Sequence, residues 1–552
     1  MSGSFTDKSL APAAQPSPDT DQDLEISAAI VDRNTPDSPQ TEYLEGWRLR
    51  VLTAGLCLGV FLVNLEISIV STSLVSITND LKHFSQASWV VTAYLLSYTS
   101  FMVILAKLSD VVGRKSIVLF CLATFTVFSG ACAAAQTLVQ LIVFRAFQGI
   151  GGCGIYALAM VIIVEMVPRH KWPAYLVLVT SLFAIAMVLG PILGGVINLH
   201  SRWIWVFLLN VPGGVLATVL VAVSLPASFP YAKGQRPRET LSLSLGRIDF
   251  LGATLLLGAM TLHITGFEQA ANLYEWTSAE VLAPLLVSAF LWSAFFISQW
   301  YITTRLRRPD PILPWRFCQS RVVIGIIANS LLSGAISTTC VITIPMRAQA
   351  SAGDSPLQAG VRLIPLSLTI QIGAMIDAIL TKKRRLAPIY LLLAGASLQL
   401  IGCVFMSRGP PQHPDWHALY GIEVVTGIGL GLSIGAVTLM IPYAIEDRDR
   451  ATATSAVVQF RFLGGATALA IVTAVANKWL LTVLSEIVSP EQVELILRDS
   501  AFIGSLPEMV QGTIRSKFVE AFNRQMRILI GFAAAQFLAT LLMWQRDPIK
   551  IE

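Results

Sequence analysis

Residues 138–164 read LVQLIVFRAFQGIGGCGIYALAMVIIV, 27 residues broken by a single charge at Arg145. At about 1.5 Å per residue, a helix of this length exceeds the roughly 30 Å hydrocarbon core of a bilayer. Lipid offers no partner to a backbone N–H or C=O, so a segment that crosses it must satisfy those groups internally, as a helix. The same texture recurs on either side of this stretch. Apolar runs cover 52–74, 89–105, 117–135, 138–164, 174–197, 204–223, 250–267, 281–301, 322–344, 357–380, 388–406, 419–441, 452–476 and 526–544. Fourteen such runs predict an all-α polytopic membrane protein.

Composition agrees. Mean hydropathy is +0.66 and only 13% of residues are charged, against about 25% in a soluble domain. The net charge of +5 is no sign of nucleic-acid binding, because topology places the basic residues. Arg48, Arg50, Lys107, Arg114, Lys115, Arg169 and Lys171 fall in one set of connections. So do the groups Lys233 to Arg247, Arg305 to Arg321, Lys382 to Arg385, Arg448 with Arg450, and Arg546 with Lys550. The opposite short loops hold only Lys82, Arg202, Arg347 and Arg408. A bias of about six to one puts the first set, and both termini, in the cytoplasm. The long connection 477–525 then falls outside, where its mixed charge leaves room for a short surface helix.

Residues 1–46 are rich in Pro, Ser, Thr, Asp and Gln, with Ser17-Pro18, Thr35-Pro36 and Ser38-Pro39 among them. They bury too little apolar surface to fold and read as a disordered cytoplasmic tail. The tail has no apolar signal-peptide core, so the first span is expected to direct insertion. The seven cysteines make no CxxC or Cys/His metal spacing and read as small buried hydrophobes. No Asn-x-Ser/Thr sequon with an acceptable middle residue occurs.

The chain also repeats itself. Leu141-x-x-x-Arg145-x-x-x-Gly149-Ile150-Gly151 in span 4 is echoed by Leu419-x-x-x-Glu423-x-x-x-Gly427-Ile428-Gly429 in span 12. Ala106-x-x-x-Asp110 after span 2 is echoed by Gly373-x-x-x-Asp377 in span 10, and a basic cluster follows each. With spans 7 and 8 set aside, the mates hold equal places in two sets of six. This divides the chain into a six-span bundle (47–224), two linker spans (225–304), a second six-span bundle (305–545) and a cytoplasmic C-terminus (546–552). Transporters are often built from such repeats, with the ligand between the halves.

Three local motifs carry the mechanism. The link Ala106-Lys107-Leu108-Ser109-Asp110-Val111-Val112-Gly113-Arg114-Lys115 joins spans 2 and 3. A turn this tight needs the glycine, and Asp110 is placed to pair with a basic group or to cap a helix. Such a charge cluster can hold one conformation and release in another; plain positive-inside anchoring is the alternative. Gly190-Pro191-Ile192-Leu193-Gly194-Gly195 lies in span 5, where a missing hydrogen bond and small residues permit bending and close helix approach. Asn64-Leu65-Glu66-Ile67-Ser68-Ile69-Val70 puts a carboxylate inside span 1.

Together these motifs resemble the major facilitator superfamily. The 106–115 link is similar to its Gly-x-Leu-x-Asp-x-x-Gly-Arg-Lys motif, with Ala106 in place of the first Gly. Leu141 to Gly151 is similar to its span-4 motif, and Gly190 to Gly195 resembles the Gly-Pro-x-x-Gly-Gly motif of its antiporters. Asn64 to Val70 resembles the first-span motif of the fourteen-span drug:proton antiporters, with Glu66 where Asp is usual. Trp89 to Tyr94, Arg202 to Phe207 with Asn210 and Pro212, and Ser355 to Gly360 resemble that branch too. The likeness covers about 48–545. The acidic, proline-rich tail and Val457 to Arg461 look like fungal members. Ala186, four residues before Gly190, stands where another Gly is common.

An ionisable side chain inside a span is a functional candidate by default. Glu66 lies about 21 Å from the inner end of span 1, and Arg145 about 10 Å from the outer end of span 4. The two therefore share a depth. Burial disfavours the charged carboxylate and a neighbouring Arg favours it, so conformation can gate protonation. A fixed structural pair is the alternative. Glu423 reads as a second polar site or an interfacial residue, the interfacial reading being preferred. Arg461 and Gln148 are possible cavity residues, with Arg461 open between cargo contact and packing. Arg362 is expected to snorkel outward. Trp89, Tyr94, Trp292 and Trp300 read as an interface belt.

The resemblance implies a major facilitator fold of two six-helix bundles plus two central spans. It implies a monomeric, proton-coupled exporter of small amphipathic molecules, such as drugs or a fungal toxin, in the plasma membrane. In that reading Glu66 and Arg145 couple the proton, while Asp110, Gly113, Arg114, Gly190, Pro191, Gly194 and Gly195 control closure. No Walker motif, metal cluster or nucleophile–base set points to ATP use, a cofactor or an enzyme. The alternatives are a siderophore or vacuolar amino-acid carrier, and a non-transporting sensor in the same fold.

Overall fold

The computed structural model describes residues 43–545, except 82–86, 169–170, 228, 230–247, 272–273, 307–308, 412–415, 447–448 and 499. Of the expected tail over 1–46, residues 1–42 lie outside the described residues, as do the basic residues 233–247 and the C-terminus 546–552. The described chain forms fourteen long helices. The first six are α1 (Gly46–Leu81), α2 (Ala87–Val112), α3 (Arg114–Ala133), α4 (Leu138–Met166), α5 (Trp172–His200) and α6, which is made of Ile204–Leu208 and Asn210–Ser224. Next come α7 (Phe250–Ala271) and α8 (Ala279–Arg305). Then follow α9 (Arg321–Arg347), α10 (Pro356–Arg362 and Ile364–Arg384), α11 (Pro388–Met406), α12 (Ala418–Ala444), α13 (Arg450–Leu484) and α14 (Glu508–Leu542). Thirteen of them are long and apolar enough to cross a membrane. The other, α5, runs 29 residues without an Asp, Glu, Lys or Arg.

Local chemistry sets several helix ends. Thr137 caps α4 by accepting from the Gln140 amide at 3.3 Å. Ser355 and Gln358 form a reciprocal capping box at the start of α10. Two helices are interrupted near a proline. In α6, Pro212 has no N–H for the Leu208 carbonyl, and the helix breaks at Leu209. In α10, Pro365 has none for Val361, and the helix breaks at Leu363.

Packing reproduces the repeat. In the first set α1 packs on α5 and α6, α2 on α4, and α3 on α4 and α6. In the last set α9 packs on α13 and α14, α10 on α12, and α11 on α12 and α14. Each pair recurs eight helix numbers later. The hairpin α7–α8 lies against α2 and α13. The two sets meet where α13 touches α2 and α4, and where α5 touches α10 and α12.

Lipid tails are as apolar as leucine, so close backbone approach rather than burial from water holds such helices together. Gly151 shows this. A Cβ there would lie 2.5 Å from the Phe125 amide nitrogen and 2.7 Å from the Cys121 carbonyl. Neither backbone atom can swing away, so α3 and α4 would have to separate. Gly151→Ala is expected to cost about 1–3 kcal/mol. Thermal unfolding of the purified variant checks this; an unchanged midpoint would show that the contact is not tight.

The long connection differs from expectation. α13 continues to Leu484 and α14 already begins at Glu508. Leu480, Leu484, Ile514 and Ala521 form a buried cluster with Val493 and Ile496 of the expected surface helix, Pro490–Arg498. Lys478, Arg515, Lys517 and Glu520 lower the apparent hydropathy of these turns. The helices are sustained by packing on each other rather than by lipid.

Candidate functional site

Glu66 and Arg145 do meet. Both are fully buried, and the Arg145 guanidinium donates to Oε1 of Glu66. The second carboxylate oxygen, Oε2, accepts from the Asn210 side-chain amide. Asn210 is the first residue after the break in α6, so the proline-induced interruption presents it to the pair. Arg145 also donates to the Val90 carbonyl at 3.0 Å and to Oε1 of Gln148 at 2.9 Å. Gln148 in turn donates to the Ser129 hydroxyl at 2.8 Å. The guanidinium carbon lies 4.3 Å from the Tyr94 ring centroid. The site therefore draws on α1, α2, α3, α4 and α6.

This corrects one expectation. Tyr94 is no belt residue: it is fully buried and stacks under Arg145. Gln148 orients Arg145 and lies inside the bundle. Asn210 was recognised only as part of a motif. A polar side chain two residues before a proline, in an apolar run, was the signal for it.

The second cluster lies at the basic end. Gly113 takes φ 115°, a conformation that favours glycine, between α2 and α3. Arg114 is buried, 2.5 Å from Asp110 and 2.7 Å from Glu165 at the end of α4. It also donates to the Ser109 hydroxyl at 2.5 Å. The latch thus ties α2, α3 and α4. Glu165 was not singled out from the sequence, because a glutamate in a last turn has no distinguishing pattern.

In α5, the helix runs unbroken through Pro191. A Cβ on Gly190 would strike the Ser68 side chain, whose hydroxyl donates to the Ala186 carbonyl at 3.0 Å. Close approach to α1 is therefore real at Gly190. At Gly195 it is not: no described atom lies within 4 Å of where a Cβ would be. The Gly194 carbonyl accepts from Asn198 at 2.7 Å.

In the second set, Glu423 is fully buried rather than interfacial, which corrects the preferred reading. It lies within electrostatic reach of Arg347 and Arg362, with the Leu366 amide nearby. Arg362 pairs with Asp354, and both side chains are partly buried. Asp377, the repeat mate of Asp110, is buried without a hydrogen-bond partner among the described residues. Arg461 reaches across the interface to the Tyr156 hydroxyl, 2.9 Å away.

A buried carboxylate whose two oxygens are held by a guanidinium and an amide can be charged in this arrangement. Adding a proton removes its attraction for Arg145. The arrangement can therefore bind and release a proton, given a route for water.

Comparison with known proteins places the chain. The profile described as Major Facilitator Superfamily matches residues 56–469. The MFS-type transporter FPY5 of Fusarium mangiferae is 38% identical over 534 residues, covering 96% of this chain and 89% of that protein. The MFS thioclapurine efflux transporter tcpA of Claviceps purpurea is 29% identical, covering 78% of each. Among solved structures, a bacterial homologue of the human lysosomal transporter Spinster, inward-facing and unoccupied, shares the fold. Its TM-score is 0.57 at 15% identity, over 91% of this chain and 100% of that one.

Proposed function

The chain belongs to the major facilitator superfamily, a family of membrane transporters, and on that premise we propose that it exports a small amphipathic organic molecule in exchange for protons. The observation that carries this reading is the fully buried Glu66–Arg145–Asn210 set inside a membrane bundle. A carboxylate there is costly to keep. A proton site that alternates between two faces of the membrane gives it a use. In the proposed cycle, Glu66 takes a proton from outside and Arg145 is released from its partner. The bundles then rock and open the basic end, where the Asp110–Arg114–Glu165 cluster keeps α2, α3 and α4 moving as one body. Proton release inside restores the pair.

The thioclapurine efflux relative favours an outward direction and a secondary metabolite or toxin as cargo. The charge bias favours cytoplasmic termini, and the plasma membrane suits an exporter of such compounds. The test is flux of a panel of amphipathic compounds in sealed vesicles under an imposed proton gradient. Flux that follows the gradient is expected. Flux indifferent to the gradient would remove the proton from the reading.

A further inference from the structure

Most of α13 from Ala451 to Gly465 is buried. It packs on α9, α12 and α14 of its own set, on α2 and α4 of the other, and on α7. Arg461 lies eleven residues along it, about 16 Å from its start. Its backbone is fixed by α9, because a Cβ on Gly334 would strike the Arg461 carbonyl. Its side chain therefore leaves α13 on the far side and enters the space between the bundles. There it donates to Tyr156 of α4 at 2.9 Å. Among the described residues, no carboxylate pairs with it.

The surroundings are aromatic and short of hydrogen-bond partners. The Phe462 ring stands edge-on to Tyr98, with centroids 4.9 Å apart, and to Tyr156 at 6.1 Å. Tyr98 is fully buried, and its hydroxyl has no partner among the described residues. One turn before Phe462, both side-chain polar atoms of Gln459 are buried in the same condition. A cation within a span normally has a counter-charge. At Glu66–Arg145 the protein supplies both signs. At Arg461 it supplies only the positive one, beside a hydroxyl with a spare proton and flat rings on two sides. A guanidinium presents its donors in a planar fork that matches a carboxylate.

We propose that Arg461, Tyr156 and Tyr98 form a binding subsite for the carboxylate of a planar, conjugated organic acid, the cargo itself supplying the missing negative charge. This names the cargo class within the exporter reading and rests on it for direction, while binding as such needs no proton gradient. A static clamp between the bundles is the competing role.

The test measures binding by calorimetry to the full chain in lipid nanodiscs. The probes are planar aromatic carboxylates, 2-naphthoate and anthracene-9-carboxylate among them, each paired with its neutral methyl ester. At least one acid is expected to bind about tenfold or more tightly than its ester. Arg461→Gln removes that preference while ester binding persists. Tyr156→Phe, which keeps the charge and the ring, weakens the acid selectively and decides the matter if the first variant does not fold. Lack of any acid-over-ester preference, including no binding at all, overturns the proposal. So does a preference that neither variant changes. Acid-selective binding without proton-driven flux would therefore remove the exporter reading and leave the subsite standing.

Discussion

Replacing Glu66 with Gln abolishes cargo flux driven by an imposed proton gradient, while exchange of labelled cargo down its own gradient continues. The substitution keeps the size of the side chain and its acceptor for Asn210, and it removes the titrating group together with the negative charge facing Arg145. A site that cannot gain or lose a proton cannot link proton movement to rocking, yet the bundles remain free to rock. Sealed vesicles loaded with an outside-acid or outside-neutral buffer separate the two fluxes. If gradient-driven flux survives, the proton is carried elsewhere, and the buried Glu423 is the next residue to replace. If neither variant nor wild type moves any compound, the sensor reading gains at the expense of export.

The second large effect is on stability. Arg145→Met leaves the Glu66 carboxylate buried with Asn210 as its sole remaining donor from the set. Removing one partner of a buried pair costs about 3–5 kcal/mol, mostly through the uncompensated charge. The double variant Glu66→Gln/Arg145→Met removes that charge and is expected to return to within about 1–2 kcal/mol of wild type. Thermal unfolding of the four proteins in one detergent gives the cycle. A single variant as stable as wild type would show that the pair contributes nothing to holding the bundle. A double variant no better than the single would place the loss in packing against Tyr94 rather than in charge.

The sequence made these helices legible for a simple reason. In lipid, the length and apolarity of a run decide its structure with little help from its neighbours. The depth of Glu66 and Arg145 followed from the same count, which is why their pairing was foreseen. Three features were not. Asn210 reaches Glu66 because Pro212 breaks α6 at the right turn, a matter of three-dimensional placement. Tyr94 lies near the end of its span, where an interface aromatic is the ordinary expectation, yet it packs beneath a cation from another helix. The outer turns of α13 and α14 are helical because they pack on each other and on Pro490–Arg498, outside the reach of any hydropathy window.

The five helices that build the Glu66 site all belong to one bundle. A body that turns without deforming preserves every distance inside it. Rotation of one bundle against the other therefore leaves the Glu66–Arg145 geometry unchanged; it alters only what borders the site. Any message between proton and cargo has to leave the bundle through its boundary. A ring path runs from the guanidinium of Arg145 through Tyr94 and Tyr98 to the boundary, where Tyr98 meets Phe462, and Tyr156 of the first bundle touches both Phe462 and Arg461 on the far side. The seam between two movable halves is thus also where proton and cargo can sense each other, and the rings of Tyr98, Tyr156 and Phe462 are the part of it that lies between the two guanidinium groups.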